Sequence, residues 1–420
     1  MKNLEVEKKD MRMRMRSLCH LELPEEIVME ILLRLPPESL IRFKCVCKSW
    51  YTLISDPSFA HKHLHFNENN GVSSSTSLFL RWLHDDDDED GTQSDPGETH
   101  VVRSLITIFD DNDNKDNNDH IPCAIEDLNL SIIAGMPKGV FSSSSHCNGI
   151  ISLVADSDSL EQIVLYNPTI REFKVLPKTC LDRHALSVGG IVRVLGEGLG
   201  YDSKANDYKF IRILHRIRSD EWFAEVYTMS SDSWRGIQID IKIDSFLSTG
   251  EGVCCKGVFY WLLAKPDGIL SYDLSTDEFH NVPLPLSDNV NQVDVYWKHR
   301  KGCWNRWNAK KKLAVWNGLF ALLIPDMVSF TIEMWVMDDF HGGVKPSWTK
   351  HLEIGPFVIF YSPIMFWNSY ELLMETEDGG IVSYNLGTQK FRNLPIHGVS
   401  QQSCYGDFYM KTLVSVKGGN

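Results

Sequence analysis

Two hydrophobic patterns meet near residue 65. From Leu23 to Leu64 apolar residues recur at spacings of three and four. Ile27, Val28, Ile31, Leu32 and Leu35 form one stripe, and Leu40, Phe43, Val46, Cys47, Trp50, Leu53 and Ile54 a second. Pro24 stands at a helix start, and Glu25 and Glu26 follow in the first turn, where acids complement the helix dipole. Pro36 and Pro37 end this first helix, Pro37 opens the next, and Asp56 with Pro57 is expected to stop it. A core built from about 42 residues hardly offsets chain entropy. Part of this apolar surface is therefore expected to meet a partner.

Beyond residue 65 the pattern changes to short alternating or apolar runs punctuated by Gly, Asn, Asp and Pro, the signature of strands and turns. A degenerate repeat emerges when the runs are aligned. YNPTIREFKVLP from Tyr166, YTMSSDSWRGI from Tyr227, SYDLSTDEFHNVPLP from Ser271, WVMDDFHGGVKPSWTKHLEI from Trp335 and SYNLGTQKFRNLPI from Ser383 each place a polar turn between two aromatic-bearing strands. Another strand pair precedes each: SHCNGIISLV, GLGYDSKANDYKFIRI, GVCCKGVFYWLLA, KKLAVWNGLFALLI and FWNSYELLME. Anchors about 45 to 63 residues apart match propeller blades with loop insertions. The strands around Ser77–Trp82 and Val101–Phe109, joined by the terminal GDFYMKTLVSV, can complete a sixth blade from both chain ends and so leave no exposed edge. About six blades are predicted, with five or seven as alternatives.

The helical segment LPEEIVMEILLRLPPESLIRFKCVCKSWYTLISDPSFAHKHL resembles an F-box. The matching positions are Leu23, Pro24, Ile27, Ile31, Leu35, Pro36, Leu40, Arg42, Phe43, Val46, Lys48, Trp50, Ile54 and Phe59. The resemblance implies docking on the Skp adaptor of an SCF ubiquitin ligase, with Leu23, Pro24, Ile27, Ile31, Leu35, Pro36 and Leu40 lining the contact and cullin and RING subunits joined through the adaptor. Downstream, HCNGI, LYNPTIREFKVLP, GLGYDSKANDYKFIRI, AEVYTMSSDSWRGI, IEMWVMDD, SWTKHLEIGP and ELLMETEDGGIVSYN look like the F-box-associated region of plant kelch-like F-box proteins. The nearest resemblance is to the S-locus F-box proteins and their F-box-like relatives, which implies recognition of S-RNases in pollen and their delivery to ubiquitination. The resulting organisation is a disordered tail at 1–20, a small all-α F-box at 21–65 and an all-β propeller at 66–420 with an acidic insertion at 84–120.

The 420 residues include 43% hydrophobic and 23% charged positions, which fits a globular chain. The net charge of -14 argues against a surface built wholly for nucleic acid. Most of that charge is local. Residues 85–98 carry eight acids and no base, and residues 110–119 carry five acids and Lys115, so the remainder is close to neutral. This stretch is longer than the family resemblance leads one to expect. Its plain reading is a solvated loop. The sharper reading makes Asp85, Asp86, Asp87, Asp88, Glu89 and Asp90 a steering patch for a basic target such as an S-RNase.

Ten cysteines without a C-x-x-C pair suggest reduced thiols, and charges near the start argue against a secretory signal. The longest apolar stretch, Leu313 to Ile324, is interrupted by Asn317 and Gly318 and falls short of the ~20 residues of a membrane span. A cytoplasmic or nuclear protein is expected.

Several constellations invite chemistry. His61, His63 and His65 do not converge on one metal, and a solvated junction is expected. From Asp110 a calcium-loop pattern fails, because Lys115 replaces the turn glycine and Ile121 the bidentate Glu. Trp297 to Lys312 has seven bases, three Trp and no acid. Its plain reading is an inter-blade loop with snorkelling cations; a protein-binding loop or a single-strand nucleic-acid platform are the sharper ones. Cys254 with Cys255, and Cys45 with Cys47, read as small packing groups. No nucleophile elbow, phosphate loop or zinc-protease motif occurs. The chain is thus expected to be a non-catalytic receptor with no metal, cofactor, membrane or nucleic-acid partner, holding a protein target for ubiquitination. The alternative target is an unrelated signalling or metabolic protein. A propeller glycosidase is the competing class, marked by a convergent carboxylate pair at the central channel.

Overall fold

The computed structural model describes residues 24–70, 75–84, 100–109, 119–128, 130, 140–156, 162–179, 192–241, 243, 245–246, 250–265, 268–285, 295–298, 304–307, 311–326, 329–338, 346–357, 362–400 and 403–417. They fall into two compact units, Met1–Val72 with Thr412–Val414, and Ser73–Lys411 with Ser415–Gly419.

The first unit is helical: α1 (Glu25–Leu33), α2 (Pro37–Phe43), α3 (Lys48–Ser55) and α4 (Pro57–Asn70). The second predicted helix is in fact two. After Phe43 the chain tightens through Cys45 N–H to Arg42 O and Val46 N–H to Phe43 O, and Cys47 turns fully extended to start α3. Pro57, expected as a stop, begins α4 instead. A first-turn proline has no donor to satisfy, and the Asp56 carboxylate accepts the Ser58 N–H at 2.7 Å. Leu32, Leu40, Ile54, Phe59 and Leu64 form the buried centre. His63 belongs to it, contrary to the solvated junction expected. The ring is fully buried; its Nε2–H donates to Leu35 O at 2.8 Å and its Nδ1 accepts from Asn67 at 3.2 Å. That pair of bonds fixes the tautomer and ties α4 to the end of α1.

The second unit contains β1 (Ser75–His84), β2 (His100–Phe109), β3 (Cys123–Asp127), β4 (Val140–Cys147), β5 (Ile150–Asp156), β6 (Gln162–Asn167) and β7 (Glu172–Val175). It continues with β8 (Val192–Asp202), β9 (Asp207–Arg216), β10 (Glu221–Thr228), β11 (Ser233–Gln238), β12 (Ser245–Phe246), β13 (Gly250–Glu251), β14 (Val253–Cys255), β15 (Val258–Lys265), β16 (Gly268–Asp273) and β17 (Glu278–Val282). The last are β18 (Val295–Lys298), β19 (Trp304–Trp307), β20 (Lys312–Trp316), β21 (Leu319–Asp326), β22 (Thr331–Met337), β23 (Trp348–Ile354), β24 (Ser362–Phe366), β25 (Glu371–Glu375), β26 (Ile381–Asn385), β27 (Phe391–Leu394) and β28 (Tyr405–Phe408). Antiparallel pairing groups them into six blades: β4–β7, β8–β11, β14–β17, β20–β23, β24–β27, and a sixth of order β28-β1-β2-β3. The first strand of each blade contacts its counterpart in a neighbouring blade, which arranges these strands as an inner ring. The two-ended sixth blade is therefore real, with a correction. Only Tyr405–Phe408 of the terminal segment pairs with β1, and Cys123–Asp127 supplies an outer strand that the sequence pattern did not reveal.

Two turn types recur. The first hairpins of blades 1, 3 and 4 turn on Asn148-Gly149, Lys256-Gly257 and Asn317-Gly318, each with both residues at positive φ, the conformation that matches strand twist. The last hairpins are the aromatic repeat of the sequence. Tyr166 faces Phe173, Tyr227 faces Trp234, Tyr272 faces Phe279 and Tyr384 faces Phe391, with one left-handed residue in each turn. In two blades that residue is an acid held by the tyrosine hydroxyl, Tyr227 to Asp232 at 2.7 Å and Tyr272 to Asp277 at 2.5 Å. Each acid also reaches back one blade. Asp232 pairs with Lys174 at 2.9 Å, and Asp277 takes Lys209 at 3.3 Å together with Arg235. Trp234 and Trp348 donate to Pro177 O and Pro283 O of the preceding blades at 2.8 and 2.9 Å.

Packing between blades 2 and 3 rests on absent side chains. Gly196, Gly198 and Gly200 alternate along β8, so their Cβ positions share one face. A Cβ at Gly200 would lie 2.6 Å from Leu274 and 2.7 Å from Phe259, and one at Gly198 would enter the Phe259 ring. That ring is stacked on Trp261 at 5.3 Å and buried, so it has nowhere to move. Gly198→Ala should cost about 1–3 kcal/mol. Thermal unfolding of the variant will show a lowered Tm, and Phe259→Leu in the same chain should restore part of it.

A pH dependence follows from the interblade acids. Burial opposes ionisation of Asp277, yet bonds from Tyr272 and Arg235 and the charge of Lys209 hold its carboxyl below the usual range; Lys174 and Tyr227 do the same for Asp232. A depressed carboxylate stabilises the fold above its unfolded value of about 3.9, and that contribution is lost as pH falls through the folded value. Thermal melts should fall steeply below about pH 4, and Asp277→Asn should be less stable at pH 7 while losing less on acidification.

Candidate interaction surfaces

The helical unit sorts its apolar residues by face. On α1, Leu32 and Leu33 are buried, whereas Ile27 and Ile31, one turn apart, remain 46% and 47% exposed. Pro24 and Pro36 are exposed beside them and Leu35 is half-buried. These five residues of the expected adaptor face therefore lie at or near the surface. Leu40 does not join them: it is fully buried in the unit's own centre, because α2 turns it inward. Leu23 lies outside the described residues. One exposed residue was assigned by periodicity to a helical stripe, Val46 at 60%; Tyr51, outside that stripe, is 58% exposed. The break at Cys45–Cys47 takes Val46 out of the helix, and a period of 3.6 carried through that break could not show it.

In the propeller, strand alternation separates the connections into two sets. Turns between first and second strands and between third and fourth strands share one end of the blades, and are mostly short, such as residues 148–149, 168–171, 256–257, 274–277 and 317–318. Links between second and third strands, and between consecutive blades, emerge on the other end. The blade-to-blade links there are long: 128–139, 176–191, 239–252 and 283–311. Long connections on a rigid frame are where recognition is usually built. The acidic residues Asp85, Asp86, Asp87, Asp88, Glu89 and Asp90, between β1 and β2, lie outside the described residues. So do most of 110–119.

The closing seam holds a set of buried titratable groups. His146 of β4 lies with its side chain 4% exposed, its Nε2 3.8 Å from Asp407 Oδ2, and neither ring nitrogen hydrogen-bonded. Burial pulls the imidazole down, with Asp407 opposing; burial raises the Asp407 carboxyl, with His146 opposing. Tyr405, whose hydroxyl reaches Asp407 at 3.5 Å, is pushed well above its usual value by burial. Cys254 is pushed up to about 12, again chiefly by burial. A thiol held protonated is a poor nucleophile, so its expected packing role suits its surroundings. On α4, His61 and His65 are one turn apart on the same face while His63 turns inward to the other side, and among the described residues no group of three His, Cys, Asp or Glu could hold a metal.

Comparison with known proteins matches residues 20–62 to the F-box domain and residues 114–416 to the F-box associated beta propeller domain. The F-box/kelch-repeat protein At3g23880 of Arabidopsis thaliana is 26% identical over 403 residues, covering 94% of this chain and 95% of that protein. F-box protein CPR1 of the same plant is 24% identical over 405 residues, covering 89% and 84%. Among solved structures, YCF48 from Cyanidioschyzon merolae aligns over 78% of this chain and 88% of its own at 11% identity with a TM-score of 0.39, a likeness too slight to carry an argument.

The sorting of α1 and α2 separates two kinds of substitution. Ile31→Asp should abolish co-purification with a Skp-type adaptor while thermal unfolding stays close to that of the parent, since the position is already half in water. Leu40→Asp should instead unfold the helical unit, because it buries an uncompensated charge costing several kcal/mol. Retained adaptor binding by Ile31→Asp would show that this face is not the contact.

Proposed function

The chain belongs to the F-box proteins that carry an F-box-associated β-propeller, and on that footing we propose that it is the substrate receptor of an SCF-type cullin–RING ubiquitin ligase. The observation that carries the reading is the exposed Ile27–Ile31 ridge, backed by buried Leu32 and Leu33, in the same chain as a closed six-bladed propeller. Removing two half-exposed isoleucines from water on an adaptor supplies a driving force of about 25 cal/mol per Å². The propeller offers a rigid frame whose long connections hold a target. Ubiquitin transfer then gains from proximity, and this chain need supply no acid, base or nucleophile. The reading puts the protein in the cytoplasm or the nucleus.

For the target, the motifs shared with S-locus F-box proteins support a secreted-type basic ribonuclease of the S-RNase class met in pollen. The acid run 85–98 supports the same choice through charge. An unrelated signalling or metabolic protein is the second reading. Affinity capture from the native tissue, with and without proteasome inhibition, should recover the Skp adaptor in both samples and a basic protein that accumulates only under inhibition. Recovery of the propeller without adaptor would overturn the receptor reading; recovery of the adaptor with an acidic or neutral stabilised protein would overturn the ribonuclease alone.

A further inference from the structure

Acids on the blades are met by bases. Asp202 has Lys209 at 3.0 Å, Asp232 has Lys174 at 2.9 Å, Glu333 has Lys350 at 2.8 Å and Glu371 has Arg392 at 2.6 Å. Asp407 differs. Its contacts are the Phe408 N–H at 2.8 Å, the Tyr405 hydroxyl at 3.5 Å and His146 Nε2 at 3.8 Å, with no Lys or Arg in ion-pair reach among the described residues. His146 is itself unusual. Its side chain is 4% exposed with neither ring nitrogen hydrogen-bonded, an arrangement that costs free energy. Phe79 and Tyr409 stand edge-on to the ring at 5.4 and 6.1 Å and hold it against Asp407. The two residues lie on β4 and β28, the inner strands of the first and last blades, yet the Asp407 side chain is 33% exposed. The charge of Asp407 also reaches half-buried Cys254 on β14, the inner strand of blade 3. That exposure therefore opens on the axial channel and not on the outer surface.

We propose that His146 and Asp407 anchor a ligand site in the axial channel that takes a primary ammonium group. The carboxylate supplies the countercharge and one acceptor, and a neutral imidazole supplies a second acceptor at Nε2. At 3.8 Å the two are too far apart to bond each other, but one tetrahedral nitrogen can donate to both. A metal ion suits the place less well. Hard cations prefer a shell of oxygen ligands, and among the described residues no group of three His, Cys, Asp or Glu gathers here. A neutral hydroxyl could bond both acceptors but would leave the carboxylate charge uncompensated where burial already opposes it. The buried aromatic cluster of Phe79, Tyr405 and Tyr409 beside the pair suits the alkyl part of an amine. Because the pair spans the first and last blades, an occupant that bonds both residues ties closure of the ring to its own binding. A free alkylamine and the lysine side chain of a bound protein share this group, and the experiment separates them.

The test titrates the full chain, co-expressed with a Skp-type adaptor, by calorimetry. The probes are n-butylammonium, its neutral counterpart n-butanol, and Nα-acetyl-lysine N-methylamide as a lysine in a peptide-like frame. n-Butylammonium should bind at physiological salt and n-butanol should not. Asp407→Asn keeps the shape but removes the charge, and should weaken n-butylammonium by about tenfold or more; His146→Leu should weaken it by a smaller factor. Burial raises the Asp407 carboxyl, so its stabilising contribution is complete below the unfolded value and lost as pH rises through the folded one. Asp407→Asn should therefore leave the Tm at pH 7 no lower than the parent's. At about ten times its dissociation constant, n-butylammonium should raise the parent's Tm by about 2 °C and move that of Asp407→Asn far less. Tighter binding of the blocked lysine than of n-butylammonium assigns the group to a bound protein, and weaker binding assigns it to a free amine. Equal affinity of parent and Asp407→Asn for n-butylammonium would overturn the proposal, as would n-butanol binding as tightly as n-butylammonium. A Tm lowered by Asp407→Asn would also overturn it, by making the pair a brace of the closed ring. Adaptor co-purification is read separately, so the receptor reading stands or falls on its own.

Discussion

The propeller depends on one short antiparallel pairing, Leu78–Arg81 of β1 against Tyr405–Phe408 of β28. Six blades close into a ring only if the last strand made finds the first, across more than three hundred residues of chain. Everything inside the ring is conditioned by that meeting. Phe79 and Tyr405 enter one buried cluster with Ile151 and Tyr166 of blade 1, while Leu78 and Leu80 enter another with Ile364 and Leu373 of blade 5. Without β28 each cluster would lose a wall, and β1 would present a row of unpaired backbone groups. Contacts of such separation are slow to form, since loop closure precedes any gain.

How much of this was legible depends on the range over which the sequence speaks. Local grammar was clear. The aromatic-turn-aromatic runs are the third and fourth strands of blades 1 to 5, and the paired runs before them are the first and second. What failed were signals of opposite meaning in different contexts. Pro57 stops a helix or begins one, depending on whether the residue before it caps. Val46 continues a stripe only if the helix does. The short outer strand β3 of sequence CAIED has too little alternation to stand out, and it was found only by its register with β2.

The expected adaptor face was legible in part for a related reason. Periodicity tells which residues share a side of one helix, but not which side turns inward when four helices pack. Ile27 and Ile31 against Leu32 and Leu33 is a choice made by α4 and its buried His63, whose bond to Leu35 O fixes how α1 lies. The imidazole looked like surface chemistry in sequence because its partner is a backbone carbonyl, which no side-chain pattern announces.

The glycine ladder of β8 bears on how such a protein can diversify. Gly198 and Phe259 occupy one volume from opposite sides, so neither can change freely while the other stays. A lineage that enlarges the residue on β8 must first, or at once, shrink the ring on β15, and most single steps between the two solutions pass through a poorly packed intermediate. The seam between blades 2 and 3 is therefore expected to drift slowly and in pairs.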